Sequence, residues 1–137
     1  ANDGMSPFSA AQMDVLEKLL CQIMDRWTIP PERVIAHSDM SPGRKSDPGA
    51  RFDWARLARS GLSVWPDELL DVAPDMVDFL RHAHQFGYPN DIAADVLLSA
   101  FRLRFLPSQT EPLNGRDTAV MKNLALRFPV DRRARVA

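Results

Sequence analysis

The stretch that decides both the fold and the chemistry of this chain is His37-Ser-Asp-Met-Ser-Pro-Gly-Arg-Lys-Ser-Asp-Pro-Gly49. It brings an imidazole, a lysine and a carboxylate (His37, Lys45 and Asp47) into eleven residues separated by prolines and glycines that favour turns. A loop of this composition folds back on itself, so we expect His37 and Asp47 to point at one spot. A nitrogen and an oxygen ligand form part of a zinc set, and a nearby ammonium suits a developing negative charge.

Residues 29–57, from Ile29-Pro-Pro-Glu-Arg-Val through Phe52-Asp-Trp-Ala-Arg-Leu57, resemble the zinc-dependent N-acetylmuramoyl-L-alanine amidases of the type 2 amidase family. The resemblance continues more loosely to Val64-Trp-Pro66. It implies an α/β amidase fold in the parent protein. It also implies that His37 and Asp47 are zinc ligands and that Lys45 stabilises the oxyanion formed during amide hydrolysis. Substrate-binding residues stay unknown at this point.

The same resemblance implies partners outside this chain. Members of the family carry another zinc-binding His on an early strand and a Glu on a later strand, and both would precede Ala1. A catalytic zinc takes three protein ligands and a water molecule. We therefore expect the chain to be the C-terminal portion of a longer protein, incomplete as an enzyme until an N-terminal portion supplies the missing His and Glu.

Composition limits the functional classes. With 137 residues, 45% of them hydrophobic, the chain can bury one modest core or two small ones. A net charge of -1 favours neither nucleic acid nor an anionic membrane, and no apolar run is long enough for a transmembrane segment. The single cysteine, Cys21, excludes an intrachain disulfide, and its apolar neighbours predict a buried structural thiol.

Residues 1–66 are predicted to be mostly helical with one short strand. Ser9 can cap a helix that ends before Pro30-Pro31, and Arg33-Val-Ile-Ala36 resembles a strand that delivers His37 at its end. A short helix is predicted near Phe52–Arg59. The first helix carries an apolar stripe expected to pack on the sheet of the family fold, and to be exposed without it: Met13, Leu16, Leu20, Ile23, Met24 and Trp27.

The rest of the chain divides into a linker at 67–74, a three-helix domain at 75–130 and a frayed tail at 131–137. Three features indicate the three-helix domain: the Phe86-Gly-Tyr88 turn, the apolar segment Ala100-Phe-Arg-Leu-Arg-Phe105 and a last helix after Asn114-Gly115. This order of helices resembles the small peptidoglycan-binding domain that some of these amidases carry at the C-terminus.

Several residues have a plainer interpretation. Asp47 can be an Asx-turn residue, and Lys45 and the neighbouring Arg44 can be solvated charges. Asp39 is predicted to order the loop. The remaining residues are predicted to be surface histidines or solvated arginines, with contact to anionic glycan or lipid as the alternative for the arginines: His82, His84, Arg102, Arg104, Arg132, Arg133 and Arg135.

Three functional hypotheses follow. The first is zinc-dependent hydrolysis of the amide between N-acetylmuramic acid and L-alanine, acting on peptidoglycan or a muropeptide in the bacterial periplasm, cell envelope or cytoplasm. The second is a non-catalytic cell-wall-binding or regulatory module that retains the loop. The third is a site completed by another chain. The intact loop favours the first hypothesis, and the missing His and Glu favour the second.

Overall fold

A computed structural model describes residues 3–131, and all regular structure in that range is helical. The elements in chain order are α1 (Ala10–Trp27), a 3-10 turn (Pro31–Arg33), α2 (His37–Met40), α3 (Trp54–Arg59), α4 (Met76–Phe86), α5 (Ala94–Phe105) and α6 (Gly115–Arg127). The prediction of a mostly helical chain is confirmed. None of the described helices is both long and apolar enough to cross a bilayer.

The first helix begins and ends at local signals in the sequence. The Ser9 side chain accepts a hydrogen bond from the backbone N–H of Gln12 at 3.2 Å, which satisfies one of the donors left free in the first turn. At the other end Thr28 adopts the left-handed conformation with φ 53°, and its N–H donates to the carbonyl of Met24. The predicted first helix is therefore confirmed, cap included.

The predicted strand at Arg33–Ala36 is wrong. Arg33 ends the 3-10 turn, and the extended residues that follow pair with no strand within residues 3–131. Extended backbone becomes a strand only when a neighbouring strand takes its hydrogen bonds. Here the carbonyl of Val34 instead accepts from the Ser63 hydroxyl at 3.0 Å. His37 begins the helical turn α2 and does not end a strand.

Two apolar clusters form the interior. The smaller one joins α1, α3 and the segments around them through Met13, Met24, Ala36, Trp54, Leu57 and Leu62. The larger one fills the space between α4, α5 and α6 with Val64, Phe79, Ala83, Tyr88, Leu97, Leu98, Phe101, Phe105, Val120, Met121 and Leu124. Trp65 packs against both. Three helices lie where the sequence predicted them; their independence as a domain stays a prediction.

The outer face of α1 remains open to solvent. Four apolar side chains spaced four residues apart form a stripe along it: Val15 (67% exposed), Leu19 (50%), Ile23 (38%) and Trp27 (70%). Of the stripe predicted from the sequence, Met13 and Met24 are buried, whereas Ile23 and Trp27 lie on this exposed face. Cys21 is exposed, so its prediction as a buried thiol is wrong in this structure.

Three residues predicted at the surface are buried instead. His82 is 3% exposed on the inner face of α4, and its Nδ1 lies 3.4 Å from an Asp78 carboxylate oxygen. Arg102 and Arg104 on α5 are not solvated, because each is paired with a carboxylate from another part of the chain. A buried arginine needs such a partner, and the partner is invisible to helical periodicity. The predicted basic residues at 132–135 lie outside the described residues.

Candidate functional site

The loop at 37–49 is held closed by its own backbone. Helix α2 is a single turn, and the carbonyl of Ser41 then accepts from the N–H groups of Arg44 at 3.1 Å and Lys45 at 3.0 Å. The returning segment is fastened to the start of the loop, because the N–H of Ser38 donates to the carbonyl of Asp47 at 3.1 Å. The turn-forming residues of the sequence thus produce the folded-back loop that was predicted.

This loop brings His37 and Asp47 together. Nδ1 of His37 lies 3.2 Å from Oδ2 of Asp47, and the side chains are 40% and 65% exposed. The pair is open to solvent on one side, as a binding site must be. Their roles as metal ligands stay a prediction, although the geometry permits them.

The His37–Asp47 pair suits zinc in chemistry and spacing. Imidazole nitrogen and carboxylate oxygen are usual zinc ligands, and two ligands on a tetrahedral ion at about 2.0–2.1 Å stand about 3.3 Å apart. The observed 3.2 Å is compatible with that edge length and is equally the length of a direct hydrogen bond between the two side chains. No group of three or more His, Cys, Asp and Glu side chains that could hold a metal ion occurs within residues 3–131, so a metal at this pair would need further ligands from elsewhere.

Lys45 lies on the same loop and is exposed. It borders a groove between the loop and α5, whose other wall includes Val96 and Leu103. Asp47 borders a neighbouring hollow that also reaches Leu103 and includes Phe8. Lys45 and Asp47 therefore border neighbouring hollows that share Ser46 of the loop and Leu103 of α5.

The same loop contains a buried carboxylate. Asp39 is 6% exposed, and its Oδ2 accepts from the backbone N–H of Ala36 and from the Arg104 guanidinium, both at 2.9 Å. Its Oδ1 accepts from the Tyr88 hydroxyl at 2.7 Å. Burial, aided by the charge of Asp39, raises the pKa of Tyr88 well above its usual value, so the hydroxyl keeps its proton and remains a donor.

Arg104 was missed by the sequence reasoning as a residue of the site. Its guanidinium lies 4.6 Å from the ring centroids of both Trp54 and Phe105. It also donates to the Ser63 hydroxyl at 3.0 Å and the Val34 carbonyl at 3.3 Å. One signal was available: the segment around Arg104 is apolar on nearly all sides, which is the pattern of a buried helix.

Gly43 marks a second contact between the loop and α5. Its φ of +78° lies in the left-handed region, and a Cβ at this position would stand 2.7 Å from a methyl carbon of Val96. Any larger residue would therefore meet both backbone strain and a clash. The loop needs glycine here for its conformation and for its closeness to the helix.

Comparisons with known proteins find N-acetylmuramoyl-L-alanine amidases that are similar to this chain. A family model described as N-acetylmuramoyl-L-alanine amidase matches residues 1–50. The chain is 35% identical over 120 residues to N-acetylmuramoyl-L-alanine amidase AmiD of Escherichia coli, covering 75% of this chain and 43% of that protein. It is 44% identical over 55 residues to 1,6-anhydro-N-acetylmuramyl-L-alanine amidase AmpD of Haemophilus influenzae, covering 39% of this chain and 30% of that one.

Solved structures extend the likeness to most of the chain. E. coli AmiD, in complex with anhydro-N-acetylmuramic acid-L-Ala-D-gamma-Glu-L-Lys, superposes with a TM-score of 0.80 at 30% identity, covering 91% of this chain and 55% of that one. AmpDh3 of Pseudomonas aeruginosa, in complex with anhydromuramic pentapeptide, gives a TM-score of 0.80 at 27% identity, covering 95% and 59%. The chain thus spans about half the length of these relatives, and the predicted resemblance to N-acetylmuramoyl-L-alanine amidases is confirmed.

Proposed function

We propose that this chain, a relative of the type 2 N-acetylmuramoyl-L-alanine amidases, forms part of an enzyme that hydrolyses the amide between N-acetylmuramic acid and L-alanine. The observation that carries the proposal is the 3.2 Å approach of His37 to Asp47 in a loop that also presents Lys45. The two solved relatives are complexes with anhydromuramyl peptides, which supports a muropeptide as the substrate class.

In this proposal His37 and Asp47 hold a zinc ion. Zinc bound there supplies the Lewis acidity that amide hydrolysis needs. Lys45 places its ammonium where the carbonyl oxygen gains negative charge, and a compact cation suits that task. His37 is neutral when it binds metal, and Asp47 contributes the negative charge of the ligand set.

A further segment is needed to complete this site. Two ligands fall short of the three that a catalytic zinc takes from protein, and the chain covers only 43% of the length of E. coli AmiD. The stripe of Val15, Leu19, Ile23 and Trp27 is the apolar surface that such a segment would cover. We propose that an N-terminal portion of the same protein supplies both a His and a Glu and packs against this stripe.

The metal step can be tested on the chain as it stands. Zn²⁺ is titrated into the protein while the ring signals of its histidines are followed by NMR. We expect His37 to shift in a saturable way, and we expect His37→Ala and Asp47→Ala to abolish or weaken that binding. His84→Gln is the matched control and should leave it intact. An unperturbed His37 ring at millimolar Zn²⁺, both in this chain and in a longer protein that contains it, would refute the metal assignment.

Hydrolysis provides the second test. The 137-residue chain alone should not cleave an anhydro-muramyl peptide, and cleavage would refute the claim of incompleteness. In an active, longer protein that contains this sequence, Lys45→Met should lower kcat by about 10²–10³, the usual loss when one oxyanion-stabilising group is removed. Unchanged kcat would remove Lys45 from the mechanism.

A non-catalytic wall-binding or regulatory module is the alternative. It is favoured by the partial ligand set within residues 3–131 and by the three C-terminal helices, which we propose form a peptidoglycan-binding domain. This hypothesis predicts that the chain sediments with purified peptidoglycan and that His37→Ala and Asp47→Ala do not affect the activity of a longer protein containing it.

A further inference from the structure

We propose that Arg104 and Tyr88 are positioning residues for the His37–Asp47 pair, acting through Asp39. The inference rests on the proposed function, in which His37 and Asp47 bind a metal ion. It gives the C-terminal helices the task of positioning the loop that carries these two residues, in addition to any role in binding the cell wall. The two residues come from α5 and from the connection between α4 and α5, far from the loop in sequence.

The first step is that Asp39 determines where His37 stands. Helix α2 spans only His37–Met40, and a single turn is not stable by itself. What fixes its start is the Asp39 carboxylate, which accepts the backbone N–H of Ala36, the residue before His37, at 2.9 Å. Any movement of this carboxylate therefore moves the backbone that carries the imidazole.

The second step is that Asp39 is itself held from outside the loop. Arg104 donates to one carboxylate oxygen and Tyr88 to the other, so both oxygens are occupied in a buried environment. A buried carboxylate without these donors would lack compensation for its lost hydration. Arg104 thus supplies the positive charge that compensates the Asp39 carboxylate, and Arg104 and Tyr88 together hold its orientation.

The third step is that Arg104 cannot easily move. Its guanidinium is flanked by the rings of Trp54 and Phe105 at 4.6 Å and bonded to Ser63 and to the Val34 carbonyl. A planar fork with several donors satisfies this set of partners, and a lysine ammonium does not match it. The position of α5 is transmitted to Asp39 through a rigid side chain.

The fourth step connects the same helix to the other ligand. Val96 of α5 supports the loop at Gly43, and the Ser38 N–H to Asp47 carbonyl bond ties the returning segment to the turn that carries His37. His37 and Asp47 lie 3.2 Å apart, and two side chains that bind one metal ion must each be placed with sub-ångström precision. Helix α5 therefore supports the loop at two points.

The helix offers its own matched control. Arg102 lies two residues before Arg104, is also buried, and forms a bidentate pair with Asp117 rather than with the loop. Its other bonds go to the carbonyls of Glu111 and Pro112. A substitution at Arg102 disturbs a buried ion pair of the same kind without touching Asp39.

The experiment compares Tyr88→Phe, Arg104→Lys and Arg102→Lys in the whole chain. Three quantities are measured: the unfolding midpoint, hydrogen exchange of the Ser38 amide, and the affinity of Zn²⁺ read from the His37 ring by NMR. We expect Tyr88→Phe and Arg104→Lys to speed Ser38 exchange and to weaken Zn²⁺ binding by up to about tenfold, the low end of the loss seen when a group bonded directly to a metal ligand is removed, because both residues act one contact further away. Arg102→Lys should lower the unfolding midpoint and change neither the Ser38 exchange rate nor the Zn²⁺ affinity.

Equal changes in Arg102→Lys, or unchanged exchange and Zn²⁺ affinity in Tyr88→Phe, would overturn the proposal. If Arg104→Lys does not fold, Tyr88→Phe decides, since it removes a single hydroxyl. If neither this chain nor a longer protein that contains it binds Zn²⁺ at His37, the proposed function fails, and Ser38 exchange still decides whether Arg104 and Tyr88 position the loop.

Discussion

The helical region (residues 75–131) and the loop-bearing region (residues 3–66) differ in how completely each is enclosed. In the helical region, α4, α5 and α6 surround the larger buried cluster. In the loop-bearing region the cluster is smaller, and α1 leaves its outer stripe in solvent. The helical region is enclosed mainly by its own side chains, with Val64 and Trp65 added from the loop-bearing region, and that region in turn receives Arg104 from α5. A site on an open scaffold depends on supports outside itself.

The largest expected effect is in the helical region, from Asp117→Ala. This fully buried carboxylate pairs with Arg102 and also accepts the N–H of Asn114 at the start of α6. Its removal leaves a buried guanidinium unpaired, so we expect the free energy of unfolding to fall by about 3–5 kcal/mol. Urea unfolding measures it. Asp67→Ala removes the exposed partner of Arg127 and should cost at most about 1 kcal/mol. Similar losses for both would contradict the burial of the first pair.

A matched pair of leucines compares the two clusters directly. Leu124 in the larger cluster and Leu57 in the smaller one are 0% and 1% exposed. We expect Leu124→Ala to lower the free energy of unfolding by about 3–4 kcal/mol and Leu57→Ala by about 2–3 kcal/mol, because the more open cluster relaxes further around the cavity. Both are measured by urea unfolding. A larger loss at Leu57 would reverse the comparison of the two regions.

The helical region should also respond to acid through His82. Burial lowers the pKa of His82 from 6.5, against the raising effect of Asp78. The unfolded chain then binds the proton more readily, so this stability is complete above about pH 6.5 and is lost as the pH falls toward the lowered value, by at most about 1.4 kcal/mol per pH unit.

Unfolding free energies at pH 7.5 and 5.5 test this, with His82→Gln expected to reduce the difference between them. The half-buried His84 on the same helix gives the control, and His84→Gln should preserve the difference. An undiminished difference in His82→Gln would assign the pH dependence to other groups.

The smallest effect is expected on the open face of the loop-bearing region. Leu19 is 50% exposed, so Leu19→Gln should change the free energy of unfolding of this chain by no more than about 0.5 kcal/mol. Leu20→Gln, at a partly buried position of the same helix, should cost more. If Leu19→Gln were the costlier substitution, the stripe would already be packed and the two regions would be equally closed.

Much of this architecture could be predicted because its signals are local. Ser9 caps α1 through a residue three positions away, and the turn-forming residues around Gly43 fold the loop so that His37 meets Asp47. The three C-terminal helices also follow from apolar spacing. The predicted strand at Arg33–Ala36 is wrong because a strand depends on a distant partner, which local sequence does not reveal. Within the described residues this extended stretch has no partner strand, and the Val34 carbonyl accepts from the side chains of Ser63 and Arg104 instead.

The sequence by itself determined the helices, the first cap and the folded loop, because helical hydrogen bonds and turns connect residues a few positions apart. Only the tertiary structure decided the burial of His82 and the partners of the two arginines on α5. Arg102 finds Asp117 15 residues away, and Arg104 finds Asp39 65 residues away. Such a pairing exists only when the packed helices bring both charges together and exclude water, so no local pattern encodes it.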